Sequence, residues 1–253
     1  MATFKIANEV AELLPKMQVV VVTAKGLENR TANPKIASHV QAVVAKTVDM
    51  FAANNYSNAQ SHPRVALYQN TLKAVANVSS KKFPQSNESL LKRVLKEKQA
   101  GRPISPIVDF YNSISIEHAV TAGAFDLLEL RTANGPLELR LADFEQDVFV
   151  PLDAASDAQP GKVDKGEILY AQGNTVLTRH MAWRKSKQAL VTDDSTEVMF
   201  MSEVFNEAEP GPEPTALAQA IAESLQDGLQ EFFGVESTAA FLGKSLEKLE
   251  ISL

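Results

Sequence analysis

The chain contains no cysteine, and that one absence removes disulfides, thiolate metal sites and a cysteine nucleophile together. Histidine is scarce as well. His39, His62, His118 and His180 share no H-x3-H or HExxH spacing, so the sequence supports no metal centre. Long hydrophobic runs are also missing. The opening MATFKIANEV lacks the apolar core of a signal peptide, and no later stretch approaches the length of a membrane-crossing helix. The expectation is a cytoplasmic protein with no membrane partner and no cofactor. There is no G-x-S-x-G elbow and no G-x-G-x-x-G loop. The GKS at 243–245 has Thr238 where a phosphate loop needs glycine, which excludes that motif.

What is present suits a globular domain: 253 residues, 45% hydrophobic and 22% charged. A net charge of −6 argues against indiscriminate coating of nucleic acid, but the charge is unevenly spread. Between 81 and 102, seven basic residues (Lys81, Lys82, Lys92, Arg93, Lys96, Lys98, Arg102) face two acids, Glu88 and Glu97. The stretch RHMAWRKSK at 179–187 adds Arg179, Arg184, Lys185 and Lys187 with no acid, whereas 193–213 is acidic. Two solvated faces and a polyanion-binding surface both remain open.

Hydrophobic periodicity divides the chain. MQVVVVTA (17–24) reads as a buried strand, and 33–54 as a helix with Asn33 at its cap and Pro34 in its first turn. Helices are also predicted over 62–76, over 83–99 with Ser86 as cap, and over 215–233 after the linker EPGPEP. From 107 onward IVDF, DLLELRTA, LELRLA, DVFVPL, GEILYA and TEVMFMSEVF read as strands. The sum is an α+β protein, a layered mixed sheet with flanking helices. Its expected divisions are a strand–helix extension over 1–60, a central domain over 61–208, and a C-terminal helix and tail over 215–253.

HPRVALY, KKFPQSNESLLKRVLK, PIVDFYNSISIEHAVTAGAFD, GEILYA and HMAWRKS…VTDDSTEV occur in an order that resembles the standalone B3/B4-domain proteins. These are similar to the editing domain of the phenylalanyl-tRNA synthetase beta chain. The comparable stretch there runs Val-Val-Asp-x-Thr-Asn, a short helix, then His-Ala-Phe-Asp. IVDFYN and GAFD keep that mutual distance without a gap. The resemblance implies hydrolysis of the ester between a wrong amino acid and tRNA, in a pocket between sheet and helices.

Carried over residue by residue, it implies a site at Tyr111 and Asn112, at Gly123, Ala124 and Asp126, near Arg184 and Ser186, and at Glu203. Asn112 and backbone N–H groups near Gly123 and Ala124 would orient carbonyl and water, and Tyr111 is either part of that site or core packing. Gly123 replaces the His that helps recognise a tyrosine hydroxyl, which opens space for a longer side chain. Glu117, Asp126 and Glu203 are then candidates for holding a cationic group. Among family activities this points to a canavanyl-tRNA(Arg) deacylase, although each acid has the alternative of pairing with Arg179, Arg184 or backbone. Lys82, Ser86, Arg93, Arg179 and Trp183 are the candidates for tRNA contact, Trp183 by stacking on the terminal adenine or else as a core residue. A non-catalytic tRNA- or amino-acid-binding module is the alternative reading.

Overall fold

The computed structural model describes residues 2–76, 78–79, 81–133, 135–155 and 159–253. In chain order its elements are β1 (Thr3–Ile6), α1 (Asn8–Leu13), β2 (Met17–Lys25), α2 (Pro34–Ala53), α3 (Pro63–Ala76), α4 (Ser86–Glu97) and α5 (Pro106–His118). Next come β3 (Gly123–Asp126), α6 (Leu127–Thr132), β4 (Leu137–Leu141), β5 (Val148–Phe149), β6 (Gly161–Lys162), β7 (Ile168–Gln172), β8 (Thr175–Arg179) and β9 (Arg184–Lys185). The chain closes with β10 (Glu197–Phe205), α7 (Ala216–Gly228), β11 (Ser237–Leu242) and β12 (Glu250–Ser252). The fold is α+β. Among the described residues no helix is long and apolar enough to cross a membrane.

Two sheets carry the molecule. The smaller runs β11-β2-β10-β3, antiparallel throughout, with β3 on its edge. The larger is mixed, β12-β1-β4-β7-β8-β5-β6, with β9 added to β8. Because side chains alternate across a strand, β10 serves two layers. Phe200 packs on Phe110 of α5, on the helix side. Glu203 faces the other way and meets Tyr170 of β7 in the larger sheet. Phe125 of β3 also packs against Tyr170, ring centroids 6.0 Å apart. The valines of β2, paired with both β10 and β11, are buried on both sides.

Asn33 caps α2, accepting from the N–H groups of Lys35 and Ile36, with Pro34 in the first turn. Beyond α7 the chain continues in a wider helical turn through Phe233. Gly228 is required there, since a Cβ would lie 2.3 Å from the Phe110 ring.

Three expectations are corrected. IVDF is the first turns of helix α5, not a strand. Ser105 caps it by accepting from Val108 N–H, Pro106 opens it, and Ile107, Phe110 and Ile114 recur on its buried face. The β-branched Ile107 and Val108 masked that period. DLLELRTA is likewise helical from Leu127, because Asp126 accepts from Leu128 N–H at 2.8 Å and Glu129 N–H at 3.0 Å and so starts α6. Ser86 is the first residue of α4 and not its cap; Gln85 holds that place, its side chain engaged elsewhere. Asn134, within the turn signal ANGP, lies outside the described residues.

Candidate active site

A cavity of ≈ 200 Å³ opens at the free edge of β3, between the two sheets and under α5. Tyr111 and Asn112 of α5 form one wall, and Gly123, Ala124 and Phe125 of β3 form another. Met201 and Glu203 of β10 and Tyr170 of β7 make the floor. The segment Met181–Lys185 and Ser86 close the remaining side.

The β3 edge supplies backbone groups. In an antiparallel pair the N–H and C=O of one residue point the same way, and successive residues alternate. Asp126 N–H turns away from β10 to Ala189 O at 3.0 Å, and Ala124 O turns away from β10 to Lys185 Nζ at 2.8 Å. The Ala124 N–H shares that outward direction, and Ala124 lines the cavity, whereas Gly123 is turned to its partner Met201.

A clamp positions the fourth wall. His180 and Met181 both adopt left-handed backbone, φ +44° and +66°, and turn the chain from β8 back into β9. Gln85 holds this turn from the start of α4: its amide donates to His180 O at 3.0 Å and its oxygen accepts from Ala182 N–H at 3.1 Å. Ser86 N–H adds a bond to Ala182 O at 2.9 Å. The returning strand then divides its side chains. The Arg184 guanidinium leaves the cavity for Asp153 at 2.6 Å, and Lys185 reaches in.

Lys185 lies within the Arg184–Ser186 neighbourhood that the resemblance marked, but sequence reasoning did not single it out. Its Nζ lies 5.3 Å from the ring centroids of both Tyr111 and Phe125. Burial of the ammonium lowers its pKa to about 8, against an opposing pull from the charge of Glu203. Although the residue keeps some exposed surface, its charged end lies between these walls. Glu203 is buried at 3% exposure. Its carboxylate accepts from the Tyr170 hydroxyl at 2.6 Å and from the Thr121 hydroxyl, and its backbone carbonyl accepts from Tyr68. Burial, and then the charge of Glu203, push the Tyr170 hydroxyl well up, so it stays a donor. Burial, aided by Asp109, also raises Tyr111.

The structure thus brings Tyr111, Asn112, Gly123, Ala124, Glu203, Arg184, Ser86 and Trp183 to one cavity. It does not bring Glu117 or Asp126. Glu117 pairs with Lys46 at 2.9 Å; burial works to raise its pKa, but the Lys46 bond and charge outweigh that and hold it low. Asp126 is spent on capping α6 and on Ser195. Ser186 is buried beyond the cavity, accepting from Gln188 N–H at 3.0 Å.

Of the other candidates, Lys82 is exposed over Phe83, and Arg93 lines a second hollow of ≈ 150 Å³ that shares Asn112 as its wall. Trp183 packs edge-on against Phe83 at 4.7 Å. Arg179 is neutralised, its guanidinium held by Glu167 at 2.6 Å and Asp164 at 3.2 Å. The same two carboxylates lie 3.6 and 3.5 Å from His180 Nε2. A cation bound by this trio would have to displace the arginine.

Among solved structures the chain is similar to an N-terminal fragment of the phenylalanyl-tRNA synthetase beta-subunit from Pyrococcus horikoshii, with 10% sequence identity and a TM-score of 0.43. The likeness covers 93% of this chain and 50% of that one, so the chain spans half the length of the fragment. No curated protein sequence matches it. The model of the B3/4 domain matches residues 71–210, a span that contains α4, α5 and β3 to β10 and every wall of the cavity. The chain belongs to the B3/4 domain family.

Proposed function

We propose that the cavity hydrolyses the ester linking an amino acid to the terminal ribose of a tRNA. The observation that carries the reading is the β3 edge: Ala124, with its outward N–H, and Asn112 line one cavity that also holds a part-buried cation and a buried carboxylate. Among the described residues that line it there is no histidine, and an aminoacyl ester is activated enough for water to be the nucleophile. Asn112 holds the attacking water and the Ala124 N–H donates to the carbonyl oxygen as it becomes an oxyanion. Water adds to the carbonyl carbon and the ribose oxygen leaves with the proton, a neighbouring ribose hydroxyl relaying it. The products are free amino acid and tRNA.

The exposed basic residues between 81 and 102, Lys82 and Arg93 among them, face the phosphates of the acceptor stem in this reading. Arg179 is excluded from that role because Glu167 and Asp164 already hold it. A steep loss of tRNA binding with added salt would support the assignment, since phosphate contacts release counterions.

A canavanyl group fits the geometry poorly. Of the candidate carboxylates Glu117, Asp126 and Glu203, only Glu203 reaches the cavity, and the Lys185 ammonium stands there to repel a second cation. The reading is tested by deacylation of charged tRNA with wild type and Asn112→Ala. The expected loss is about 10² in rate, the scale of removing one preorganised polar group. Unchanged turnover removes Asn112 from the reaction.

A further inference from the structure

Resting on that reading, we infer that Lys185 determines which acyl group the site accepts, selecting an aminoacyl-tRNA whose side chain ends in a carboxylate. The ammonium faces the cavity with one hydrogen bond, to Ala124 O at 2.8 Å, and among the described residues no carboxylate oxygen lies within ion-pairing distance of it. A part-buried ammonium with a single protein acceptor leaves donors free for a ligand that supplies an anion. The two flanking aromatic faces stabilise a cation only in part, and they leave its remaining N–H donors free. The missing partner is an anion delivered by the ligand.

Gly123 belongs to the same device. A Cβ at that position would lie 3.5 Å from Nζ and 3.7 Å from Cε of Lys185, so a longer side chain there would take the space that the ammonium fills. The position that carries His in the synthetase module is thus left bare, and a cation enters from β9 instead. Opposite stands Glu203, its carboxylate fixed by Tyr170 and Thr121 with lone pairs remaining. A pocket with one part-buried cation and one buried anion complements an acyl group that carries an α-ammonium and a side-chain carboxylate.

The test uses one tRNA charged in turn with aspartate, glutamate, phenylalanine and arginine, comparing kcat/KM. Wild type should cleave the aspartyl or glutamyl ester at least ~10-fold faster than the other two, the scale of one charge-assisted hydrogen bond. Lys185→Met should bring that ratio near one, Lys185→Arg should keep it, and Lys185→Glu should turn it toward arginine. No acidic preference in wild type, or a ratio that survives in Lys185→Met, overturns the inference while leaving ester hydrolysis standing. Absence of turnover with every charged tRNA overturns both. Free aspartate should inhibit more strongly than free alanine; equal inhibition would place the α-carboxylate of the product at Lys185 and overturn the assignment to the side chain.

Discussion

Replacing Lys185 by methionine should make the protein more stable at neutral pH, although it damages the site. The ordinary lysine pKa is 10.5 and here burial brings it to about 8. At about 1.4 kcal/mol per pH unit that shift puts the cost of the part-buried ammonium at no more than about 3 kcal/mol at neutral pH. Methionine has similar reach and suits the walls of Tyr111 and Phe125. It loses the bond to Ala124 O, which offsets about 1 kcal/mol. The expected net gain is about 1–2 kcal/mol.

Its pH dependence has a defined sign. The folded value lies below the unfolded one, so between about pH 8 and 10.5 the unfolded chain binds more protons, and this group makes the wild type more stable as pH rises. The advantage of Lys185→Met should therefore be full below about pH 8 and disappear toward 10.5. Urea unfolding of both proteins at pH 7 and pH 10 measures this directly, other titrating groups cancelling in the difference. A variant no more stable at pH 7, or a difference that does not change with pH, refutes the picture of a part-buried, unpaired ammonium. Confirmation would identify a residue kept at the expense of stability, as functional groups often are.

Two further outcomes concern the scaffold. Gly228→Ala places a Cβ 2.3 Å from the Phe110 ring and should destabilise by about 1–3 kcal/mol despite the better helix propensity of alanine, read as a lower urea midpoint. Asp126→Ala removes the cap of α6 and the acceptor of the Ser195 hydroxyl and should cost about 1–2 kcal/mol, with ester cleavage largely preserved because Asp126 does not line the cavity.

Local signals made part of the fold legible. Four consecutive valines announced β2, and Asn33 with Pro34 announced α2, because a β-branched run and a capped first turn act over a few residues. The segment 107–112 was misread, since Ile107 and Val108 carry strand propensity while the period that wins appears only when Phe110 and Ile114 are counted. The helix still carries Tyr111 and Asn112 to the cavity, but it decides where Glu117 goes. Along a helix Glu117 lies roughly 140° around the axis from Asn112, which sends it to Lys46 and away from the cavity. Which residue of the Arg184–Ser186 stretch enters the site was illegible for a different reason. RHMAWRKSK reads as a basic surface, and only the left-handed turn at His180 and Met181, held by Gln85, decides that the Arg184 guanidinium goes to Asp153 while the Lys185 ammonium enters the cavity.

If the β3 edge and Asn112 cleave an ester, charged tRNA must release its amino acid over many turnovers. With the protein at one hundredth of the tRNA concentration, an acidic aminoacyl-tRNA should be discharged completely and the tRNA recovered able to be charged again. Release that stops at one equivalent or never exceeds the uncatalysed rate, while the charged tRNA stays bound, would contradict the account and leave a binding module in its place.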